Sequence, residues 1–494
     1  MYGIAVLDRG WERTTWSGGG SSRWPSRSSP GPDLSEEVSA TDSGAGDNDH
    51  VTDLPRSAVV RAARLASLPV GMAGRAAWGL GKRVGGKPAE IVTAELQART
   101  AEQLFSVLGQ LKGGAMKFGQ ALSIFESAFP EEMAAPYRAM LTKLQDSAPP
   151  LPASTVHTVL SEQLGPRWRR SFVEFDDVPV AAASIGQVHR GIWRDGRTVA
   201  VKIQYPGAGP ALLSDLAQVS RVARVATAWV PGIEIGPILA ELKGRMAEEL
   251  DYRLEARSQE KFAKGFDGDP HFLIPHVIKF GERVIVSEWI DGEPLSRVIN
   301  EGTEEQRDLA SQRYMEFLLV GPGRVGLLHA DPHPGNFRLM PDGRLGIMDF
   351  GAVKRLPHGL PDEMGRFLSL AVDGDAEGTL AGLRETGFVR PGMDVDAERL
   401  LEYLEPFIVP LRSDTFRFSR PWLRDVFQHI NDPRRPNYAV GMRLNLPAEY
   451  LLIHRVWLGG IGVLCQIGGE VHGRELVAAY LPGVDLPPLG DPVG

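Results

Sequence analysis

The sequence predicts an α+β fold in two lobes, strand-rich first and helical after, and three observations predict it. Between residues 172 and 288, short apolar runs at 185–193, 198–204 and 284–288 have strand character and surround a long helical pattern at 238–266. After Asp291-Gly292 the apolar spacing is mostly helical to the end. Two polar segments interrupt that helical part, His329-Ala-Asp-Pro-His-Pro-Gly-Asn336 and Asp349-Phe-Gly351, with five residues from Asp331 to Asn336 and thirteen from Asn336 to Asp349.

That spacing carries chemistry. In a phosphoryl-transfer site an aspartate accepts the proton of the attacking hydroxyl, an asparagine five residues on holds Mg²⁺, and the Asp of Asp-Phe-Gly holds the metal on the phosphates. Asp331 takes the first role, and Asn336 and Asp349 the other two as hard oxygen ligands for Mg²⁺. The apolar run Leu345-Gly-Ile-Met348 suits a strand that delivers Asp349. Earlier, Val199-Ala-Val-Lys202 reads as a strand that ends in a lysine, placed to pair with the α/β-phosphates of ATP or ADP. Each piece alone is ordinary, since an Asp-Phe-Gly is usually a turn and a Val-Ala-Val-Lys usually just a strand. Their order and spacing together predict a protein-kinase-like fold. Glu288-Trp-Ile290 is then the hinge between lobes, its backbone at Glu288 and Ile290 meeting adenine. His329 is expected to pack behind the loop, and His333 to hydrogen-bond its own backbone rather than to ligate zinc.

Composition narrows the function classes. The chain has 494 residues, room for two or three domains, and 54 Lys+Arg against 62 Asp+Glu give a net charge of −8. Such a charge favours solubility and supplies no global attraction to nucleic acid, so no nucleic-acid partner is expected. A single cysteine, Cys465, excludes an internal disulfide and a cysteine-based metal cluster and suits a reducing compartment. Gly3-Ile-Ala-Val-Leu7 is too short for a secretory apolar region, so the chain is expected to be cytoplasmic and peripheral on the inner face of the plasma membrane. The apolar run 456–465 falls short of the ~20 residues of a spanning helix and is read as a buried helix of the second lobe.

Four regions follow. Residues 1–55, rich in Ser, Gly, Pro and Asp, read as a disordered tail. Residues 56–150 form a helical extension. Its first part has no acid between Asp53 and Glu90, while seven basic residues alternate with apolar ones, a pattern suited either to an anionic membrane surface or to a basic helix pair packed on the protein. Leu104, Leu108, Leu111, Ala115, Phe118, Leu122 and Phe125 then recur at helical spacing and carry Lys117-Phe-Gly-Gln120, with Lys117 and Gln120 on one face. Residues 151–290 form the first kinase-like lobe and 291–494 the helical second lobe.

Where a protein kinase carries Gly-x-Gly-x-x-Gly over the phosphates, this chain has Ala181-Ala-Ala-Ser-Ile-Gly-Gln187, eighteen residues from Ser184 to Lys202. With Lys117-Phe-Gly-Gln120, Glu249-Leu-Asp251 and the 329–336 segment, it closely resembles the UbiB family of atypical kinases over residues 60–480. The resemblance implies an N-terminal segment, bearing Lys117 and Gln120, folded over the place of a peptide substrate. It implies an alanine-rich loop, Ala181, Ala182, Ala183, Ser184 and Gly186, that alters nucleotide selectivity and restrains autophosphorylation. It further implies association with membranes, a role in quinone or isoprenoid-lipid metabolism with a lipid or quinone precursor as partner, and ATPase or small-molecule kinase activity in preference to protein kinase activity.

Two features of the residues bear on this. On one continuous helix Glu249 and Glu255 would lie about 240° apart and could not both face Lys202, whereas Asp251 and Glu255 would share a face. Either Glu255 or the Glu249/Asp251 pair can serve Lys202 while the other meets Lys117, and Glu255 is the preferred partner of Lys202. From Ala352 to Leu368 there is no Ser, Thr or Tyr, so no activation-loop phosphosite is present. The alternatives are a small-molecule kinase of the aminoglycoside or choline type, and a nucleotide-binding scaffold that handles lipids with little turnover.

Replacing Arg56, Arg61, Arg64, Arg75, Lys82 and Arg83 with Gln is expected to weaken flotation with anionic vesicles, since each basic side chain at such a surface contributes ~1 kcal/mol. Unchanged flotation would instead assign the stretch to packing against the protein.

Overall fold

The computed structural model describes residues 150–183, 185–209, 250–432 and 434–486. Lys117, Gln120, Ser184 and Glu249, the tail and most of the helical extension lie outside these residues.

The first lobe is a six-stranded antiparallel sheet. Its strands are β1 (Phe172–Phe175), β2 (Ala181–Ala183), β3 (Gly186–Trp193), β4 (Thr198–Gln204), β6 (Val277–Phe280) and β7 (Val284–Glu288), in the order β1-β3-β4-β7-β6 with β2 on β3. The period-2 alternation of β4 decides what each face does. Val199, Val201 and Ile203 are fully buried and meet α1 (Ala153–Leu164) through Val156, Val159 and Leu160, with Trp168, Trp193 and Val286 in the same cluster. Ala200 and Lys202 consequently belong to the opposite face. On that face Ile185 and Ile285 pack with Tyr252 and Ala256 of α2 (Tyr252–Gly265).

Asp251 caps α2, its carboxylate accepting from the N–H groups of Arg253 and Leu254 at 3.0 and 3.3 Å. This corrects the helix expected over 238–266. The chain turns at Leu250, and α2 begins at Tyr252, so Asp251 and Glu255 are not neighbours on one helical face and the angle between Glu249 and Glu255 cannot be taken from helical geometry. A short acidic side chain just before a helix stabilises two orphan N–H groups better as a cap than as a mid-helix residue.

α2 enters the second lobe at its far end. Phe262 is fully buried against Phe317 and Phe350, with ring centroids 5.9 and 4.9 Å away. The second lobe is built on α4 (Glu304–Val325), which follows α3 (Leu295–Glu301) and opens with a capping box of Thr303 and Gln306. α4 buries residues on all sides, as a central helix does. It leads through Gly326, in the left-handed region at φ 68° where a side chain would be strained, into β9 (Leu327–His329). A small sheet of β5 (Phe272–Leu273), β8 (Glu293–Pro294), β10 (Phe337–Leu339) and β11 (Leu345–Ile347) runs in the order β5-β11-β10-β8, and β12 (Val353–Arg355) pairs with β9. The helices α5 (Asp362–Asp373), α6 (Ala376–Glu385), α7 (Ala397–Ile408), α8 (Arg420–Asn431), α9 (Pro436–Gly441), α10 (Ala448–Ile467) and α11 (Gly473–Tyr480) complete the lobe, with a separate core among α6, α7 and α9 and the two-stranded pair β13 (Phe416–Arg417) and β14 (Glu470–Val471) beside it.

The apolar run 456–465 is the last half of α10, a longer helix than the sequence suggested. Glu449–Ile467 is long and apolar enough to cross a membrane by length and composition, and 56% of its most apolar window is buried inside the lobe, including Cys465. The three glycines of this helix, at 459, 460 and 462, break the apolar pattern in sequence. Gly460 is where α10 meets α4, since a side-chain carbon there would sit 2.7 Å from Leu318.

Phe317 is 1% exposed and touches the rings of Phe262, Phe266, Phe272, His329 and Phe337. Phe317→Ala is expected to cost about 3–5 kcal/mol, because the emptied space joins both ends of the core. Denaturant unfolding of the variant checks it.

Candidate active site

Strand alternation and the cap at Asp251 bring three charges together. Lys202 Nζ donates to Glu255 Oε1 at 2.6 Å and lies 3.3 Å from Asp349 Oδ2. Glu255 is buried, at 4% side-chain exposure, and so reaches the lysine from the floor of the site, whereas Asp349 keeps 27% exposed and faces an open cleft. Burial by itself would lower the Lys202 pKa. The carboxylates of Asp349 and Glu255 outweigh it and hold the ammonium charged well above the usual lysine range.

Asp349 is the one non-glycine among the described residues with positive φ, at 59°. A side chain held in that region stores of order 1–3 kcal/mol of strain and persists only where its surroundings impose it. Three contacts do so. His329 Nε2–H donates to the Asp349 carbonyl at 2.8 Å, the Gly351 N–H donates to Asp349 Oδ1 at 3.2 Å, and Phe350 is buried against Phe262 and His329. His329 thus packs behind the loop, as the sequence suggested.

The twelve residues between Asn336 and Asp349 are a hairpin. Phe337 pairs with Ile347, and the Met348 N–H donates to the Asn336 carbonyl at 2.8 Å, which returns the chain to Asn336 just before Asp349. Asn336 is 8% exposed, and its amide N–H donates to the Asp331 carbonyl at 3.2 Å, leaving Oδ1 as its acceptor. With the Asp349 carboxylate this makes two hard oxygen donors beside a cleft, a set that fits Mg²⁺ and gives no soft ligand for zinc. The loop between is fixed from both sides. Tyr314 of α4 donates to the Pro332 carbonyl at 2.7 Å, and the Gly335 N–H donates to His333 Nδ1 at 3.1 Å, so His333 bonds its own loop. Burial and the nearby Asp331 charge push the Tyr314 phenol far up, so it stays a neutral donor.

β2 and β3 form a tight hairpin over this end of the sheet, with Ala183 opposite Gly186, Ala182 opposite Gln187 and Ala181 opposite Val188, which in turn faces Lys202. Gly186 is required there, since a side-chain carbon would collide with the Ile203 carbonyl and come within 2.9 Å of the Tyr252 hydroxyl.

The structure treats the remaining expected site residues differently. The Glu288 carboxylate accepts from Arg197 at 2.9 Å and from the His276 N–H at 3.1 Å, and its own N–H donates to the His276 carbonyl. The Trp289 N–H is likewise bound to Thr198, so of the hinge only Ile290, buried at 7%, keeps a backbone N–H outside the sheet's hydrogen bonds among the described residues. Asp251 is occupied as a cap. Sequence reasoning missed Tyr252, whose ring lies 5.3 Å from Lys202 Nζ and whose buried hydroxyl has no hydrogen-bond partner among the described residues. Its position three before Glu255 was the available signal, since i and i+3 share a helical face.

Glu255→Gln is expected to destabilise the protein by about 3 kcal/mol, because removing one partner of a buried pair leaves Lys202 undercompensated. Thermal and denaturant unfolding measure it, and a loss within error would mean that Asp349 alone balances the lysine.

Residues 143–381 match the ABC1 atypical kinase-like domain. The zebrafish atypical kinase COQ8B, mitochondrial, is 29% identical over 344 residues, 68% of this chain and 54% of that protein, so the chain spans about half the length of this relative. The atypical kinase COQ8, mitochondrial, of Saccharomyces cerevisiae is 27% identical over 446 residues, 86% of this chain and 85% of the yeast protein. Among solved structures, Rv3197 of Mycobacterium tuberculosis in complex with erythromycin is 44% identical, with a TM-score of 0.64 over 81% of this chain and 100% of that one. Sequence, fold and site geometry agree, and the chain belongs to the ABC1 family of atypical kinases, the UbiB group, with a two-lobed kinase-like fold.

Proposed function

We propose that this protein is an ATP-dependent atypical kinase or ATPase that supports quinone or isoprenoid-lipid metabolism at a membrane surface. The observation that carries the catalytic part is the convergence of Lys202, Glu255 and Asp349 within 3.3 Å of one ammonium, with Asn336 joined to the same hairpin. Glu255 holds the Lys202 ammonium in the cleft, where it meets the α/β-phosphates of ATP or ADP. Asn336 Oδ1 and the Asp349 carboxylate hold Mg²⁺, which when bound neutralises phosphate charge. The Ala181–Ala183 hairpin covers the phosphates, and the Ile290 N–H is the hinge group open to adenine. Asp331 orients the attacking oxygen and receives its proton as the phosphoryl group moves and ADP leaves. Residues 151–290 are thus the nucleotide-covering lobe and 291–494 the lobe of the catalytic loops, with 56–150 as the extension bearing Lys117 and Gln120.

The pairing of β12 with β9 holds the segment after Asp-Phe-Gly in a sheet, and with no hydroxyl residue from 352 to 368 this supports constitutive order without loop phosphorylation. The lipid and quinone part rests on the family. The basic stretch 56–87 supplies the contact with an anionic membrane, here taken as the inner face of the plasma membrane, and it lies outside the described residues. A second reading has one supporting observation: a relative 44% identical was solved with erythromycin. On that reading a macrolide is a ligand of this protein too, and calorimetric titration with erythromycin decides it.

Hydrolysis of ATP by the purified protein, with and without anionic liposomes and quinone precursors, tests the proposal. Asp331→Asn is expected to lower turnover by about a hundredfold or more while leaving nucleotide affinity nearly intact, since a general base acts in the transition state. Asp349→Asn is expected to lose the thermal shift produced by Mg-ATP, as does chelation of Mg²⁺ in the wild type. Wild-type hydrolysis in Asp331→Asn would move the catalytic base elsewhere.

A further inference from the structure

A line of buried polar groups holds the alanine-rich hairpin from behind. On β3, Gln187 and His189 lie opposite Ile203 and Val201 of β4, and cross-strand partners share a face, so both side chains lie on the α1 side of the sheet, away from Lys202. They are 1% and 0% exposed, and the His189 ring stacks on Phe175 with centroids 5.2 Å apart. Polar groups buried on an apolar face cost free energy unless their hydrogen bonds are made, so their partners decide what they do.

The partners form one chain of bonds. The Leu151 N–H donates to Gln187 Oε1 at 2.8 Å, Gln187 Nε2 lies 2.7 Å from His189 Nε2, and His189 Nδ1 lies 2.8 Å from the Asp176 carbonyl. Backbone groups end it on both sides and thereby fix every proton between. A peptide N–H only donates, so the Gln187 oxygen faces Leu151 and its NH2 group faces the imidazole. A peptide carbonyl only accepts, so Nδ1 of His189 carries the proton and Nε2 is the acceptor. Only a neutral imidazole in this one tautomer completes the chain. A proton added at Nε2 sets two donors against each other, and turning the amide over sets its NH2 group against the Leu151 N–H.

Three segments meet in this line: Leu151 leads into α1, Asp176 follows β1 on the way to β2, and Gln187 pairs with Ala182 in the hairpin itself. The root of Ala181–Ala183 is thus clamped from outside the cleft. Burial lowers the His189 pKa below the ordinary histidine value. The hydrogen bond to Asp176 and the charges of Asp176 and Asp177 oppose that fall without cancelling it, and His157 of α1, bonded to Asp177 at 2.6 Å, adds to it.

We propose that Gln187 and His189 are positioning residues for nucleotide binding: with a neutral imidazole they hold the Ala181–Ala183 hairpin seated over the cleft, and protonation of His189 releases it. The nucleotide part rests on the reading of that hairpin as the phosphate cover. The hold on the hairpin does not.

Imidazole NMR of the full chain with labelled histidine, His189 being assigned by its loss in His189→Gln, is expected to show the proton on Nδ1 at about pH 7.5 and a titration midpoint below about 6.5. A proton on Nε2, or a higher midpoint, overturns the proposal. Hydrogen exchange of residues 179–190 reads the hold on the hairpin. Gln187→Met removes both side-chain hydrogen bonds at similar volume and is expected to speed that exchange about tenfold. His189→Gln supplies an acceptor and a donor that do not titrate, and is expected to keep exchange within about twofold of wild type. Calorimetric titration with Mg-ATP reads the consequence, with affinity expected about fivefold weaker in Gln187→Met and within about twofold of wild type in His189→Gln. As pH falls through the His189 midpoint, wild-type affinity is expected to drop relative to His189→Gln, a comparison that cancels the titration of ATP itself. Unchanged exchange in Gln187→Met overturns the proposal, as does an identical pH dependence of affinity in wild type and His189→Gln. If the wild type binds no Mg-ATP, the nucleotide reading fails, and exchange still decides the hold on the hairpin. If Gln187→Met does not fold, exchange in wild type against His189→Gln across the midpoint decides it, and equal exchange overturns the proposal.

Discussion

The ion pair of Lys202 with Glu255 is the contact on which the rest of the site depends. A buried carboxylate and an ammonium are each expensive to take from water, and together they persist only where backbone geometry brings them to hydrogen-bonding distance. Two independent features supply that geometry. The alternation of β4 commits Val199, Val201 and Ile203 to the core and thereby turns Lys202 to the other face. The cap at Asp251 sets where α2 starts, and with it the helical phase that brings Glu255 beneath the lysine.

α2 also ties this pair to the second lobe. Tyr252 and Glu255 at its first turn belong to the Lys202 site, and Phe262, less than two turns beyond Glu255, is buried with Phe350 of the Asp-Phe-Gly segment. One helix therefore positions the lysine's partner and the residue next to Asp349. The strained φ of Asp349 is sustained by that arrangement, since the Phe350 ring and the His329 imidazole hold the backbone on either side of it. α4 plays the corresponding part from below. Tyr314 fixes Pro332 in the 329–336 loop, and Phe317 lies at the centre of the aromatic core.

The site fits the family and refines the expectation of which groups act in it. Glu288, whose backbone was expected at the adenine, places its carboxylate on Arg197 and the His276 N–H and its own N–H on the sheet. Asp251, expected opposite Lys117, accepts two backbone N–H groups on one carboxylate oxygen as a helix cap, and Lys117 lies outside the described residues. The alanine-rich loop has the form of a β-hairpin tip, in which Gly186 alone supplies the room for close backbone approach to Ile203.

The sequence by itself marked Asp331, Asn336, Asp349 and Lys202, because the phosphoryl-transfer roles expected of them call for particular side chains at spacings set by one loop, one hairpin and one strand, and local geometry of that kind is written in the order of residues. β3, β4, β7 and β11 were legible for the same reason, as period-2 apolar runs bounded by turns. What the tertiary structure decided were the choices between equally plausible local forms. Whether Asp251 continues a helix or caps one depends on the turn at Leu250, and neither acidity nor periodicity encodes that turn. Which group the Glu288 carboxylate meets depends on a partner 91 residues away. Tyr252 beside Lys202 arises from packing between elements remote in sequence: its spacing to Glu255 sets a shared helical face, and only the assembled core decides which strand residue that face meets.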